Sequence, residues 1–169
     1  IAAGQGEQAE AELDQVLQRS PMWLEGHQQL AQLRSLLGKR EQAFGSIERA
    51  IAAYPQAAGL WQALFELLIL AEDYSALDAA LLRARAAGVA ANSLATYRFI
   101  AAAEHGPAEM ADALLQTEGA QAIPPVWRIR HYLRTGRASE ALPFIDTELG
   151  GPRAVDAWPY AATAWQLTG

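Results

Sequence analysis

The three histidines of the sequence, His27, His105 and His131, are the side chains best suited to bind a metal or to transfer a proton. None of them stands in an HxxxH, HxH or HxD spacing, which would bring two ligands to one ion. The sequence contains no cysteine, so it offers neither a thiolate site nor a disulfide. We therefore expect no metal and no cofactor, and we expect His27 to pack against a partner helix.

Other catalytic signatures are also missing from the sequence. It contains no GxSxG elbow for a serine nucleophile and no GxxxxGK[ST] or GxGxxG loop for phosphate. Carboxylate pairs such as Glu10 and Asp14 stand four residues apart, a spacing that on an amphipathic helix usually leaves both in water. We expect no catalytic residue within this sequence.

One stretch, WRIRHYLR from Trp127 to Arg134, concentrates basic and aromatic residues. Arg130 and Arg134 are four residues apart, so they share a helix face and could hold an acidic partner segment. The alternative is that these arginines are solvated or paired with Glu140 and Asp146 across a helix hairpin. The sequence leaves both interpretations open.

Charge and hydropathy narrow the classes of partner. The 13 Lys and Arg residues against 19 Asp and Glu give a net charge of -6, which disfavours binding to nucleic acid. No apolar run approaches the roughly 20 residues that cross a bilayer, so we expect no membrane partner. The lack of cysteine fits the cytoplasm and is also compatible with the periplasm.

The elements that carry these residues follow a repeat. Gly4 and Gly38 are 34 residues apart, and further steps of 34, 34, 30 and 33 lead to Glu72, Gly106, Gly136 and Gly169. Small residues follow the turns at Ala9, Ala43, Ala111 and Ala141, with Leu77 as the exception. An apolar residue follows four positions later in every case, at Leu13, Ile47, Leu81, Leu115 and Ile145.

Good helix formers dominate the segments between these turns, and strand patterns are nearly missing. The sequence predicts an all-α fold of helical hairpins, which need neighbouring hairpins to bury their apolar faces. After Gly106 the pattern is looser, and Pro124-Pro125 predicts a helix that begins at Pro125 or just before it. The predicted helices span residues 7–19, 24–37, 41–53, 58–71, 74–86, 92–104, 108–117, 124–135, 138–148 and 154–167.

The 34-residue unit with a bulky early residue, a Leu-small pair such as Leu30-Ala31, a turn glycine and a final proline resembles the tetratricopeptide repeat (TPR) family. Trp61 and Trp158 hold the early bulky place. The resemblance implies a single domain over 1–169, folded as a right-handed α-α superhelix. Its repeats would span 1–21 (partial), 22–55, 56–89, 90–121, 122–152 and 153–169 (partial), and we expect the sequence to be part of a longer protein.

The resemblance also implies a function, that of a non-catalytic scaffold binding a peptide or partner domain in a concave groove. The groove positions of the family fall here on Gln28, Gln32, Gln62, Glu66, Tyr97, Trp127, Arg130 and Arg134. The family's Lys and Asn clamp for a terminal carboxylate is replaced by glutamines, which can pair with extended backbone.

Two alternatives remain. The run from Gly26 to Ala50 and the ending AWPYAATAWQLTG resemble the helical repeat region that precedes the catalytic domain of some bacterial 2-oxoglutarate and Fe(II)-dependent oxygenases. That resemblance implies a substrate-positioning or regulatory role, with chemistry located downstream. Open repeat arrays also expose apolar ends, which predicts self-association.

Overall fold

The computed structural model of the protein describes residues 3–151 and 154–168, and these residues form ten α-helices and one 3-10 helix, with no strand. Their bounds are α1 Ala3–Arg19, α2 Leu24–Leu36, α3 Arg40–Ala53, α4 Ala58–Leu70, α5 Tyr74–Ala86, α6 Ala91–His105, α7 Ala108–Leu115, the 3-10 helix Glu118–Ala122, α8 Pro125–Arg134, α9 Ala138–Leu149 and α10 Ala154–Thr168.

The predicted all-α repeat fold is confirmed, and each predicted helix has its counterpart. Helix α8 begins at Pro125, because proline has no backbone N–H to satisfy in the first turn. Three details differ from the prediction. Helix α1 begins at Ala3, so Gly4 is helical rather than a turn residue. The 3-10 helix was not predicted. Helix α10 extends to Thr168 and contains Pro159.

The chain divides into two compact units, residues 1–93 and 94–169, which we call unit 1 and unit 2. In unit 1, α2 contacts α3 and α4, and α4 contacts α5. In unit 2, α8 contacts both α9 and α10, and α9 contacts α10. The first helix of a hairpin therefore packs on its own partner and on the first helix of the next hairpin. A single domain over 1–169 stays a prediction.

The core of unit 1 follows the repeat columns in the second and third hairpins. Ala43 and Ile47 of α3 have no exposed surface, and neither has Leu77 at the place where the column changes from alanine. The first hairpin departs from the column, since Ala9 is exposed and Gly6 is buried instead. A Cβ atom at Gly6 would lie 2.6 Å from the Leu37 side chain, so α1 approaches through its glycine.

The core of unit 2 has two clusters of buried residues. One consists of Phe99, Ala102, Ala103, Ala111, Ala120 and Ile123. The other consists of Ile129, Ala141, Ile145, Ala161 and Ala164. Trp158 does not join either cluster. Its side chain is 55% exposed, whereas that of Trp61, which holds the same early bulky place in its repeat, is buried.

The turns of the repeats use left-handed backbone at the marker position. Gly38 and Gly136 have φ values of 74° and 73°, and Glu72, the one marker that is not glycine, has a φ of 55°. Gly106 is not among the described glycines with positive φ, and Gly169 lies outside the described residues. An L-residue with a side chain pays a steric cost in this conformation that glycine avoids.

We expect Glu72→Gly to stabilise the protein by about 0.5–1 kcal/mol, because it relieves this cost and offsets the added freedom of the unfolded chain. The measurement is the urea midpoint followed by circular dichroism. The matched control is Gly38→Ala, which introduces a Cβ at a left-handed residue and should lower the midpoint. A Glu72→Gly midpoint at or below that of the parent protein would contradict the prediction.

Candidate partner-binding groove

A groove of about 420 Å³ lies along α2 and α4 in unit 1. Four residues that the repeat pattern assigned to the groove line it, namely Gln28, Gln32, Gln62 and Glu66. Ser35 of α2 lines the groove as well. The structure therefore brings this part of the predicted set together on one surface.

The groove is regular because α2 and α4, the two helices that form it, have equal length. Helix α2 and helix α4 each have 13 residues, and both ends of α4 lie 34 positions after the corresponding ends of α2. Each groove residue of α2 therefore has a counterpart at the same helical position of α4, such as Gln28 with Gln62. Equal register places like positions side by side along the two helices.

Gly59 of α4 lies beside the end of the Gln28 side chain of α2. A Cβ atom at this position would collide with the Nε2 atom of Gln28, so the glycine leaves the space that the Gln28 amide occupies. Gln28 is half-buried there. The Gln28 side chain therefore lies against the wall of the groove at this glycine.

Sequence reasoning missed the apolar end of the groove. Leu36 and Leu70 are 73% and 74% exposed, although both are large aliphatic side chains. Both line the groove, and they occupy equivalent positions of α2 and α4. The available signal was their separation of 34 residues, which matches the repeat, together with their place at the last helical position.

Two ring nitrogens fix the beginnings of α2 and α4. The Nε1–H of Trp61 donates to the carbonyl of Pro55 at 2.7 Å, and the Nε2 of His27 lies 2.9 Å from the carbonyl of Pro21. Both the rings and the prolines are 34 residues apart. His27 therefore has a positioning role in the repeat, in agreement with the expectation that it packs.

The structure corrects the expectation that Glu10 and Asp14 are both exposed to water. Glu10 is buried, and it accepts hydrogen bonds from Arg34 Nε at 2.8 Å and from Lys39 Nζ at 2.6 Å. Arg34 also donates to Asp14 at 3.1 Å. The bonds from Lys39 and Arg34 hold the pKa of Glu10 below its ordinary value, against the opposing effect of burial. This network joins α1 to α2 and to the turn before α3.

The remaining predicted residues lie in unit 2. The guanidinium of Arg130 lies 4.9 Å from the centre of the Trp127 ring and donates to Glu104 at 2.9 Å. Partial burial acts to lower the pKa of Arg130, but the bond to Glu104 leaves it raised. Arg130 therefore pairs with α6, and not with Glu140 or Asp146 as one sequence interpretation held.

Arg134 and Tyr97 have different environments. Arg134 is exposed at the end of α8 and has no ion-pair partner among the described residues. Tyr97 is half-buried on α6. Arg128 lies over the Phe144 ring and donates to the carbonyl of Ala120, so it belongs to the hairpin interior. Of Arg128, Arg130, His131 and Arg134, Arg134 is the most exposed.

His131 is also removed from the basic surface. It is 1% exposed, and its Nε2 lies 2.8 Å from Oδ1 of Asp112, which also accepts from Arg137 at 2.6 Å. The bond from Arg137 holds the pKa of Asp112 below its ordinary value, burial opposes this, and the bond from His131 adds to the lowering. This cluster ties α7 to the α8–α9 hairpin.

The described residues contain no group of three or more His, Cys, Asp or Glu side chains that could hold a metal ion. None of the described helices is long and apolar enough to cross a membrane. Neither the fold nor any described site supports the oxygenase alternative.

The fold matches that of a thermophilic TPR protein from Thermus thermophilus, known from its crystal structure. The TM-score is 0.71, with 24% sequence identity over 96% of this chain and 92% of that chain. No protein-family model and no curated protein sequence matches the chain. The chain therefore resembles a TPR protein in fold, and at this identity the likeness establishes the fold alone.

The ion network of unit 1 makes a prediction about pH. Because the pKa of Glu10 is lowered on folding, its contribution to stability is full above the unfolded pKa of about 4 and is lost as the pH falls through the folded pKa. We expect Glu10→Gln to destabilise the protein by about 2–3 kcal/mol at pH 7, since a buried ion pair loses one partner.

The measurement is urea unfolding at pH 7 and at pH 3, where the difference between parent and Glu10→Gln should shrink. Glu7→Gln, at an exposed position of the same helix, is the control and should behave as the parent at both pH values. An equal difference at both pH values would show that the Glu10 carboxylate charge does not carry the effect.

Proposed function

We propose that this chain is a non-catalytic protein-interaction scaffold that binds an extended peptide segment of a partner in the groove along α2 and α4. The observation that supports the proposal is the groove itself, an open surface of about 420 Å³ on a TPR-type fold. Repeat arrays of this kind characteristically use the surfaces of their successive first helices for binding.

The chemistry of the lining supports a peptide rather than a small metabolite. Gln28, Gln32 and Gln62 present amides that can both donate and accept hydrogen bonds, as an extended backbone requires. The Gln28 amide lies beside Gly59, where no side chain covers it. Leu36 and Leu70 offer apolar surface beside these amides.

An acidic partner segment at the basic cluster of unit 2 is the competing form of the same proposal. In this form of the proposal the acidic segment would pair with Arg134, because Arg130 is already paired with Glu104. Self-association is a third form, and Trp158 and Trp165 of α10, exposed by 55% and 46%, are apolar surfaces that it could use. Sedimentation over a concentration series measures it.

The test is selection of peptides from a random library displayed on phage, with the chain as bait. Gln32 is exposed, so Gln32→Trp should leave the fold intact while its ring fills the groove. We expect this variant to weaken the selected peptides by at least about tenfold. Gln42→Trp, the same change at an exposed position of α3 outside the groove, is the matched control and should retain binding.

Arg134→Glu separates the two binding surfaces. Peptides that lose affinity for Arg134→Glu but not for Gln32→Trp would overturn the groove and favour the basic cluster. A selection that yields no peptide dependent on either position would overturn the proposed function. Circular dichroism on each variant distinguishes lost binding from lost folding.

A further inference from the structure

The lining of the groove includes three pairs of residues at equivalent helical positions of α2 and α4, four residues apart along each helix, which we call levels. The levels are Gln28 with Gln62, Gln32 with Glu66, and Leu36 with Leu70. Their chemistry changes from amide, through amide and carboxylate, to aliphatic. This order indicates which side chains of a partner would fit at each level.

The spacing of the levels matches an extended peptide. Successive levels are four residues apart on each helix, which corresponds to a rise of about 6 Å. Alternate side chains of an extended chain, which point to the same face, are about 6.5 Å apart. Three alternate side chains of a peptide lying along the helices therefore reach the three levels, with a mismatch of about 1 Å over the whole distance.

The charge of the groove favours one kind of peptide side chain at the second level. Glu66 is exposed at the second level, and Glu25 lines the same groove. A cationic side chain would meet opposite charge here, whereas an acidic one would meet like charge and lose affinity.

The third level selects an apolar side chain. Leu36 and Leu70 keep about three quarters of their surface in solvent, at 73% and 74%, and they occupy equivalent helical positions. A leucine-like side chain placed against both removes apolar surface from water. At the first level the two amides accept either a polar side chain or the peptide backbone.

We propose that the groove recognises an extended segment in which a polar residue, a Lys or Arg, and an apolar residue occupy alternate positions. The segment belongs to a partner protein, and the order of the three residues can run in either chain direction. This inference rests on the proposed function and adds the sequence pattern of the partner to it.

The experiment uses the groove-dependent peptides, defined as those from the phage selection that lose binding to Gln32→Trp. Their sequences should show Lys or Arg enriched at one position and Leu, Ile, Met or Phe two positions away. Glu66→Lys should weaken a Lys-containing peptide by about tenfold and strengthen the same peptide with Glu in place of that Lys. Glu41→Lys, at an exposed position of α3 outside the groove, is the control for net charge and should leave both affinities within about twofold.

Each outcome decides one of the two proposals. Groove-dependent peptides with no cationic preference, or with affinities that Glu66→Lys leaves unchanged, would overturn the sequence pattern while the proposed function stands. If circular dichroism shows that Glu66→Lys is misfolded, Glu25→Lys at an exposed position of the same groove provides the same charge test. The absence of any groove-dependent peptide would overturn the groove as the binding site.

Discussion

In two of the hairpins, α2–α3 and α8–α9, the helices pack at an alanine without exposed surface, and the rest of each hairpin depends on this contact. Ala43 on α3 and Ala141 on α9 provide it, and an isoleucine four residues later is buried with each of them. A larger side chain at such a contact would push the helices apart, because the interior is already close-packed. With the hairpins fixed in this way, α2 and α4 can lie side by side and leave a groove between their outer faces.

Most of this arrangement could be predicted from local patterns. Helix periodicity, turn residues and the 34-residue spacing all act over short distances in the chain, so they gave the ten helices. Helix α1 was misjudged because Gly4 was taken as a turn residue, whereas it lies in the first turn of the helix. The burial of Glu10 depends on Arg34 and Lys39, which lie in later elements and give no local signal.

The candidate site shows the same division between local and distant causes. The glutamines of the groove could be assigned because equivalent positions in a repeat face the same way. The pairing of Arg130 with Glu104 and the burial of His131 against Asp112 could not, since each contact joins different helices. The exposure of Leu36 and Leu70 was missed because an aliphatic residue is normally expected in a core, and nothing in its type indicates otherwise.

The equal length and register of α2 and α4 have a consequence for how such a surface can diversify. The backbone of the groove is set by buried positions such as Leu30, Ala31 and Leu64, while exposed positions such as Gln32, Leu36 and Glu66 contribute little to that core. Substitutions at the exposed positions can therefore change the chemistry of the surface while the scaffold stays the same. Under the proposed function, the residues that set specificity are separate from those that stabilise the same two helices, so this surface could evolve without loss of the fold.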